Sequence, residues 1–199
     1  MAKKRIKFRD IKSTELIGIL GTEHGVGTTH FCCMLGVFLA IVKGYKVAIV
    51  EINDTDCLRQ AGIILNTFKH KILRIISIYT QSDINELSQI VSMNYDYVIV
   101  DYGCNFTAIK ESFLMCPRKI VVGSGCFWKL HSYVSFLIMV KQEKSLDHWI
   151  FTATNPIRSN LTFLKKEFHR EIIPIPYEEN PFFLDNSVDF WHYLTEKII

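Results

Sequence analysis

IGILGTEHGVGTTHFCCMLGVFLAIVKGYKVAIVEIN, residues 17–53, decides the fold. An apolar run, Leu16 to Leu20, gives way to a loop holding Gly21, Gly25 and Gly27, and then to residues whose apolar positions recur at helical spacing. A second apolar run, Val47 to Ile52, follows. The order is strand, loop, helix, strand. Three glycines in seven positions let the loop turn with its amides inward and leave room for a ligand against the backbone. The helix behind aims its positive end at the same point, so the loop suits a phosphate.

Outward from this unit the alternation continues. Thr28 to Val42 reads as the first helix, stopped by Gly44, with Phe31, Met34, Leu35, Phe38, Leu39 and Val42 as its core face. Val47 to Ile52 is continuously apolar, as a parallel strand covered on both faces should be. A short helix over Asp56 to Leu65 and a strand over Arg74 to Tyr79 come next. Asp83 to Met93 reads as a helix with Asp83 as N-cap and Glu86 completing a capping box. Tyr95 to Gly103 holds an apolar strand delivering an acid, Asp101, at its carboxyl end. Helices over Phe106 to Met115 and Trp128 to Val140 alternate with strands over Lys119 to Gly123 and His148 to Thr152. A basic helix over Asn160 to His169, the run Glu171 to Glu178 and a helix from about Asn186 to Ile199 close the chain. The expectation is a single three-layer α/β domain over residues 1–199, with a mainly parallel sheet flanked by helices and a basic lead over 1–13.

The loop GTEHGVGTTH resembles the P-loop of the MinD/ParA family, G-x-K-G-G-x-G-K-[ST]-[ST], a deviant P-loop NTPase family. Gly21, Gly25 and Gly27 fall on its glycines, Val26 on its filler, and Thr29 on its magnesium-binding hydroxyl. Glu23 stands where the family has the lysine that reaches across a nucleotide-sandwich dimer, Thr28 where the P-loop lysine holds the β- and γ-phosphates, and His24 replaces a glycine. Lysine to glutamate is two charge units and lysine to threonine one, about three in all, and each unit at roughly 4 to 6 Å is worth about 3 to 4 kcal/mol at an effective dielectric near 20.

Further landmarks follow in the family's order. Glu51-Ile52-Asn53 matches D-x-D, whose second acid orients the attacking water. Here it is the amide Asn53, which has no formal charge and cannot take up that proton. Tyr95 to Gly103 resembles the Walker B segment, with Asp101 placed beside the loop to support magnesium with Thr29. Thr154-Asn155-Pro156 puts Asn155 where the family has a base-contacting asparagine, and Ile175-Pro176-Tyr177-Glu178 matches I-P-[YF]-[DE], with Pro176 and Tyr177 lining the base side. The resemblance implies a nucleotide site of Gly21, Glu23, Gly25, Val26, Gly27, Thr28, Thr29, Asn155, Pro176 and Tyr177, and a magnesium pair of Thr29 and Asp101. It implies ATP or ADP with magnesium as ligand, weakened here by the degenerate Walker A loop, no structural metal, and Asn53 in place of the catalytic acid.

The expected function is that of a degenerate, pseudo-ATPase member serving as a positioning, scaffolding or regulatory component of a bacterial assembly, with a protein partner and with homodimerisation open. The pilus-positioning TadZ/CpaE branch is the nearest analogy. One alternative is a working ATPase with relocated cations from Lys43, Arg59, Arg158 or a partner's arginine. Another is nucleic-acid binding through the basic arm of Lys3, Lys4, Arg5, Lys7, Arg9 and Lys12, although the net charge of +3 is mild. No apolar run reaches the ~20 residues of a membrane span, and no secretory cleavage pattern is seen, so the expected location is cytoplasmic. Six scattered cysteines without a C-x-x-C pair read as free, buried thiols rather than a metal site. The last helix reads as core packing rather than a membrane tail, because Asp185, Asp189 and Glu196 outweigh Lys197.

Overall fold

The computed structural model describes residues 13–67, 71–184 and 187–198. Seven parallel strands form one sheet: β1 (Glu15–Gly21), β2 (Val47–Glu51), β3 (Ile76–Tyr79), β4 (Tyr97–Asp101), β5 (Arg118–Ser124), β6 (Trp149–Thr154) and β7 (Ile172–Pro174), in the order β3-β2-β4-β1-β5-β6-β7. The helices are α1 (Thr28–Val37), α2 (Cys57–Thr67), α3 (Ile84–Val91), α4 (Phe106–Met115), α5 (Leu130–Val140), α6 (Arg158–Phe168) and α7 (Val188–Ile198). Parallel strands need long crossovers, and these helices supply them on both faces.

The continuous apolar runs sort by parity, as alternating side chains must. Ile17, Ile19, Ile49, Ile99, Ile120 and Val122 face a core closed by Phe31, Met34 and Leu35 of α1 and by Trp191, Leu194 and Ile198 of α7. Leu20, Val50, Val98, Val100 and Val121 face the other, closed by Leu87, Phe113, Tyr133, Phe136 and Leu164. Each fully buried apolar side chain contributes about 1.5–3 kcal/mol relative to exposure. The last helix is therefore part of the core, with the Trp191 ring 5.2 Å from Phe31.

Several elements differ in detail from the sequence reading. The first helix spans the expected length but ends in a π turn, Phe38–Val42, which buries Phe38, Leu39 and Ala40 while Ile41 and Val42 stay exposed. A 3-10 turn over Lys71–Arg74 takes the first residue of the expected third strand, and another over Phe127–Lys129 takes the start of the expected fifth helix. The capping box forms as read: Asp83 accepts from the Glu86 amide at 2.8 Å, and Glu86 accepts from the Asp83 amide. Cysteine burial is mixed: Cys32, Cys33 and Cys116 are buried, but Cys57 is exposed and Cys104 and Cys126 are partly exposed, because these three lie at loops and a helix start. The basic lead, Asp185, Asn186 and Ile199 lie outside the described residues.

At β1, flanked by β4 and β5, the chain changes direction across the sheet, with β2, β3 and β4 to one side and β5, β6 and β7 to the other. Such a switch point opens a crevice at the carboxyl ends of the strands, and there the glycine loop sits.

Candidate functional site

The loop is fixed at its root and open at its crown. The Gly21 amide donates to the Gly103 carbonyl at 2.6 Å, and the Thr22 amide to the Val122 carbonyl at 2.9 Å, so the loop leaves between β4 and β5. Gly25 and Gly27 take left-handed φ values of 71° and 94°, where a side chain would strain the turn. Gly27 caps α1 without a side-chain acceptor, which leaves the first-turn amides to serve a ligand. Thr28 is buried, its hydroxyl backing directly onto Gly21, and Val26 is buried beneath the loop.

Behind the loop stands a tight carboxylate hub. Thr29 donates its hydroxyl to Asp101 Oδ2 at 2.6 Å, and the Gly103 amide donates to Oδ1 at 3.0 Å. Burial pushes the Asp101 carboxyl above its ordinary range, and the bonds from Thr29, Gly103 and Asn53 oppose that shift. Asn53 is committed elsewhere: Nδ2 donates to the Asp101 carbonyl at 3.0 Å, and Oδ1 accepts from the Thr55 amide and hydroxyl at 2.9 and 2.6 Å. Glu51, the first acid of the same strand end, is buried and accepts from the Leu58 amide at 2.8 Å.

On the opposite side a cavity of about 390 Å³ separates the loop and α1 from the ends of β6 and β7. Gly25, Val26 and Gly27 form one wall, and Asn155, Pro176 and Tyr177 form another. Thr154 binds the two walls together, its hydroxyl lying 3.0 Å from the Val26 carbonyl. Asn155 sits exposed with a left-handed φ of 47°, and Tyr177 is 85% exposed, so each borders the cavity rather than filling it. His30 and Glu178 line the same cavity. Burial pulls the His30 imidazole below its ordinary value, while a bond to the Glu178 backbone and the Glu178 charge resist this. Sequence reasoning did not single out His30; its position two residues after Thr28 on α1 was the available signal.

Glu23 leans toward α5 instead of over the cradle. Its Oε2 accepts from Ser132 at 3.0 Å, and its Oε1 lies 3.6 Å from Lys129 Nζ. The same ammonium donates to the His24 carbonyl at 2.7 Å. Of the cations proposed from sequence, Arg59 pairs with Asp56 and Lys43 lies over the Phe38 ring, so both are engaged away from the loop. Lys129, which sequence reasoning missed, is a cation that does reach it.

No family model matches this chain, and no curated protein matches it. Solved structures do. A chain of a MinC:MinD cell division protein complex from Aquifex aeolicus superposes with a TM-score of 0.66 at 18% identity, over 94% of this chain and 98% of that one. A putative plasmid partition protein from Borrelia burgdorferi B31 bound to AMPPNP gives 0.66 at 15% identity, over 94% and 98%. FlhF complexed with GMPPNP and magnesium gives 0.62 at 16% identity, over 92% of this chain and 74% of that one. At such identities the likeness speaks for architecture. The chain has a MinD/ParA-like P-loop NTPase fold.

Proposed function

We propose that this protein is a MinD/ParA-like P-loop protein with weak or absent ATP hydrolysis, acting as a positioning, scaffolding or regulatory component through a protein partner. The observation that carries the proposal is the state of Asn53. It stands where the resemblance places the acid that orients the attacking water, yet it is an amide, and both of its polar atoms are bound to Asp101 and Thr55. Orienting a water for attack on phosphorus requires an acceptor in reach, and here the acceptor oxygen already receives two hydrogen bonds. The loop adds to this by presenting Glu23 and Thr28 where two lysines would stand.

The residues that remain fit a nucleotide with magnesium. The glycine loop and the first turn of α1 would hold the phosphates, Thr29 and Asp101 would hold the metal, and the cavity beside Asn155, Pro176 and Tyr177 would take the base. Bound magnesium would supply neutralising charge at the phosphates. This chain's own residues supply shape, amide donors and the Thr29–Asp101 pair. The pilus-positioning branch of the family is the analogy for a scaffold of this kind, with residues 1–199 proposed as one domain placed in the cytoplasm.

A second reading, an ATPase whose cation comes from elsewhere in the chain, draws support from Lys129, which contacts the loop. Steady-state turnover of ATP with magnesium separates the two. The proposal expects turnover near the uncatalysed background; turnover comparable to that of a standard MinD or ParA protein would overturn it.

A further inference from the structure

Lys129 comes to the glycine loop from 105 residues away in sequence. It ends the Phe127–Lys129 turn, immediately before α5, and Ser132 sits one turn further along that helix. Its ammonium bonds to the His24 carbonyl at 2.7 Å and lies 3.5 Å from where a Cβ on Gly25 would be, so it rests against the crown of the loop. Its side chain is one-third exposed, which leaves it free to turn.

Glu23 is also held. Ser132 binds one carboxylate oxygen at 3.0 Å, while the other makes no hydrogen bond and faces the Lys129 ammonium at 3.6 Å. The ion pair is therefore looser than the Ser132 bond, and a stronger anion would draw Lys129 away while Ser132 keeps Glu23 aside. Charge favours that exchange, because a pyrophosphate group brings several negative charges where Glu23 brings one.

We propose that Lys129 is the phosphate-binding cation of this site, parked on Glu23 and His24 when the loop is empty and transferred to the phosphates of an incoming ligand. It would do from α5 what a lysine at position 28 would do from within the loop. The inference rests on the reading of Gly21 to Thr29 as a phosphate cradle and is independent of whether ATP is hydrolysed. The ligand class is a polyphosphate, held by charge and loop amides.

Calorimetry with inorganic pyrophosphate and with ADP tests it on the full chain, for wild type, Lys129→Gln, Lys129→Arg, Glu23→Gln and the Glu23→Gln, Lys129→Gln double variant. Thermal melts confirm folding of each. Lys129→Gln should weaken pyrophosphate about tenfold or more and Lys129→Arg should largely restore it, a difference set by one charge in contact with the ligand. Glu23→Gln should tighten binding, and that gain should vanish in the double variant. If wild type binds too weakly to measure, Glu23→Gln with and without Lys129 gives the answer. Unchanged affinity in Lys129→Gln, a Glu23→Gln gain that survives loss of Lys129, or no binding by any variant would each overturn the proposal. Brisk ATP turnover would overturn the proposed function and leave the role of Lys129 standing.

Discussion

The two sides of the glycine loop are held differently. At the sheet end, Thr29, Asp101 and Gly103 form a closed set of short bonds at the carboxyl end of β4. At the crown, Thr28 fills space behind Gly21 and Glu23 turns away to Ser132. The difference teaches that the groups at the sheet end are locked by short bonds, whereas Glu23 at the crown is held by one hydroxyl and a loose ion pair. A hub that ties the start of α1 to the end of β4 resists replacement on stability grounds alone. A side chain held at the loop crown by a single hydroxyl does not.

That contrast can be broken most severely at Asp101. Asp101→Ala strips acceptors from Thr29 and from the buried Gly103 amide, and should cost about 2–4 kcal/mol of stability in urea unfolding. Next comes Gly21→Ala, whose new methyl meets the Thr28 hydroxyl and the Gly103 carbonyl and should cost about 1–3 kcal/mol. Much of that loss should return in a Gly21→Ala, Thr28→Ala double variant, since the hydroxyl is the nearest obstacle. At the crown, Glu23→Ala should change stability by no more than about 0.5 kcal/mol, because its partners are partly exposed.

Glu51 sharpens the comparison through pH. It is buried beside the hub with one oxygen lacking a hydrogen bond, and burial pushes its carboxyl upward, with Asp101 and Asp56 adding to the shift and the Leu58 amide opposing it. The folded state then holds this proton more tightly than the unfolded chain, where a glutamate titrates at about 4.3. Stability should therefore fall as pH rises from that value through the folded pKa, and level off above it. Glu51→Gln has no proton to lose, so its urea midpoint should decline less across the same range; Asp101, shifted in the same direction, keeps some slope. Equal slopes in wild type and variant would contradict this reading.

Much of the architecture was legible because its signals are local. Glycine spacing at 21, 25 and 27, unbroken apolar runs, and the Asp83 and Glu86 pair each act within a few residues, and the chain order of the landmarks carries the topology. The π turn at Phe38–Val42 was invisible, since its apolar residues keep a pattern that an α-helix also satisfies. At the site, the Thr29–Asp101 pair follows from the start of α1 meeting the end of β4, and the structure joins them at 2.6 Å. The Glu23–Ser132–Lys129 group has no such signal: Glu23 lies over 100 residues from the other two and only the packing of α5 against the loop unites them. Asn53 could be recognised as a replacement from its position, but its commitment to Thr55 and the Asp101 carbonyl depends on the turn after β2.

The central claim is that the loop keeps its shape and lacks the two lysines of its own that would grip a nucleotide tightly. Affinity for ATP with magnesium, measured by calorimetry on wild type and on the Glu23→Lys, Thr28→Lys double variant, tests it most directly. The account predicts weak or undetectable binding to wild type and a gain of at least about a hundredfold in the variant, as two restored cations would give. Tight binding to wild type that the two lysines leave unchanged would contradict it.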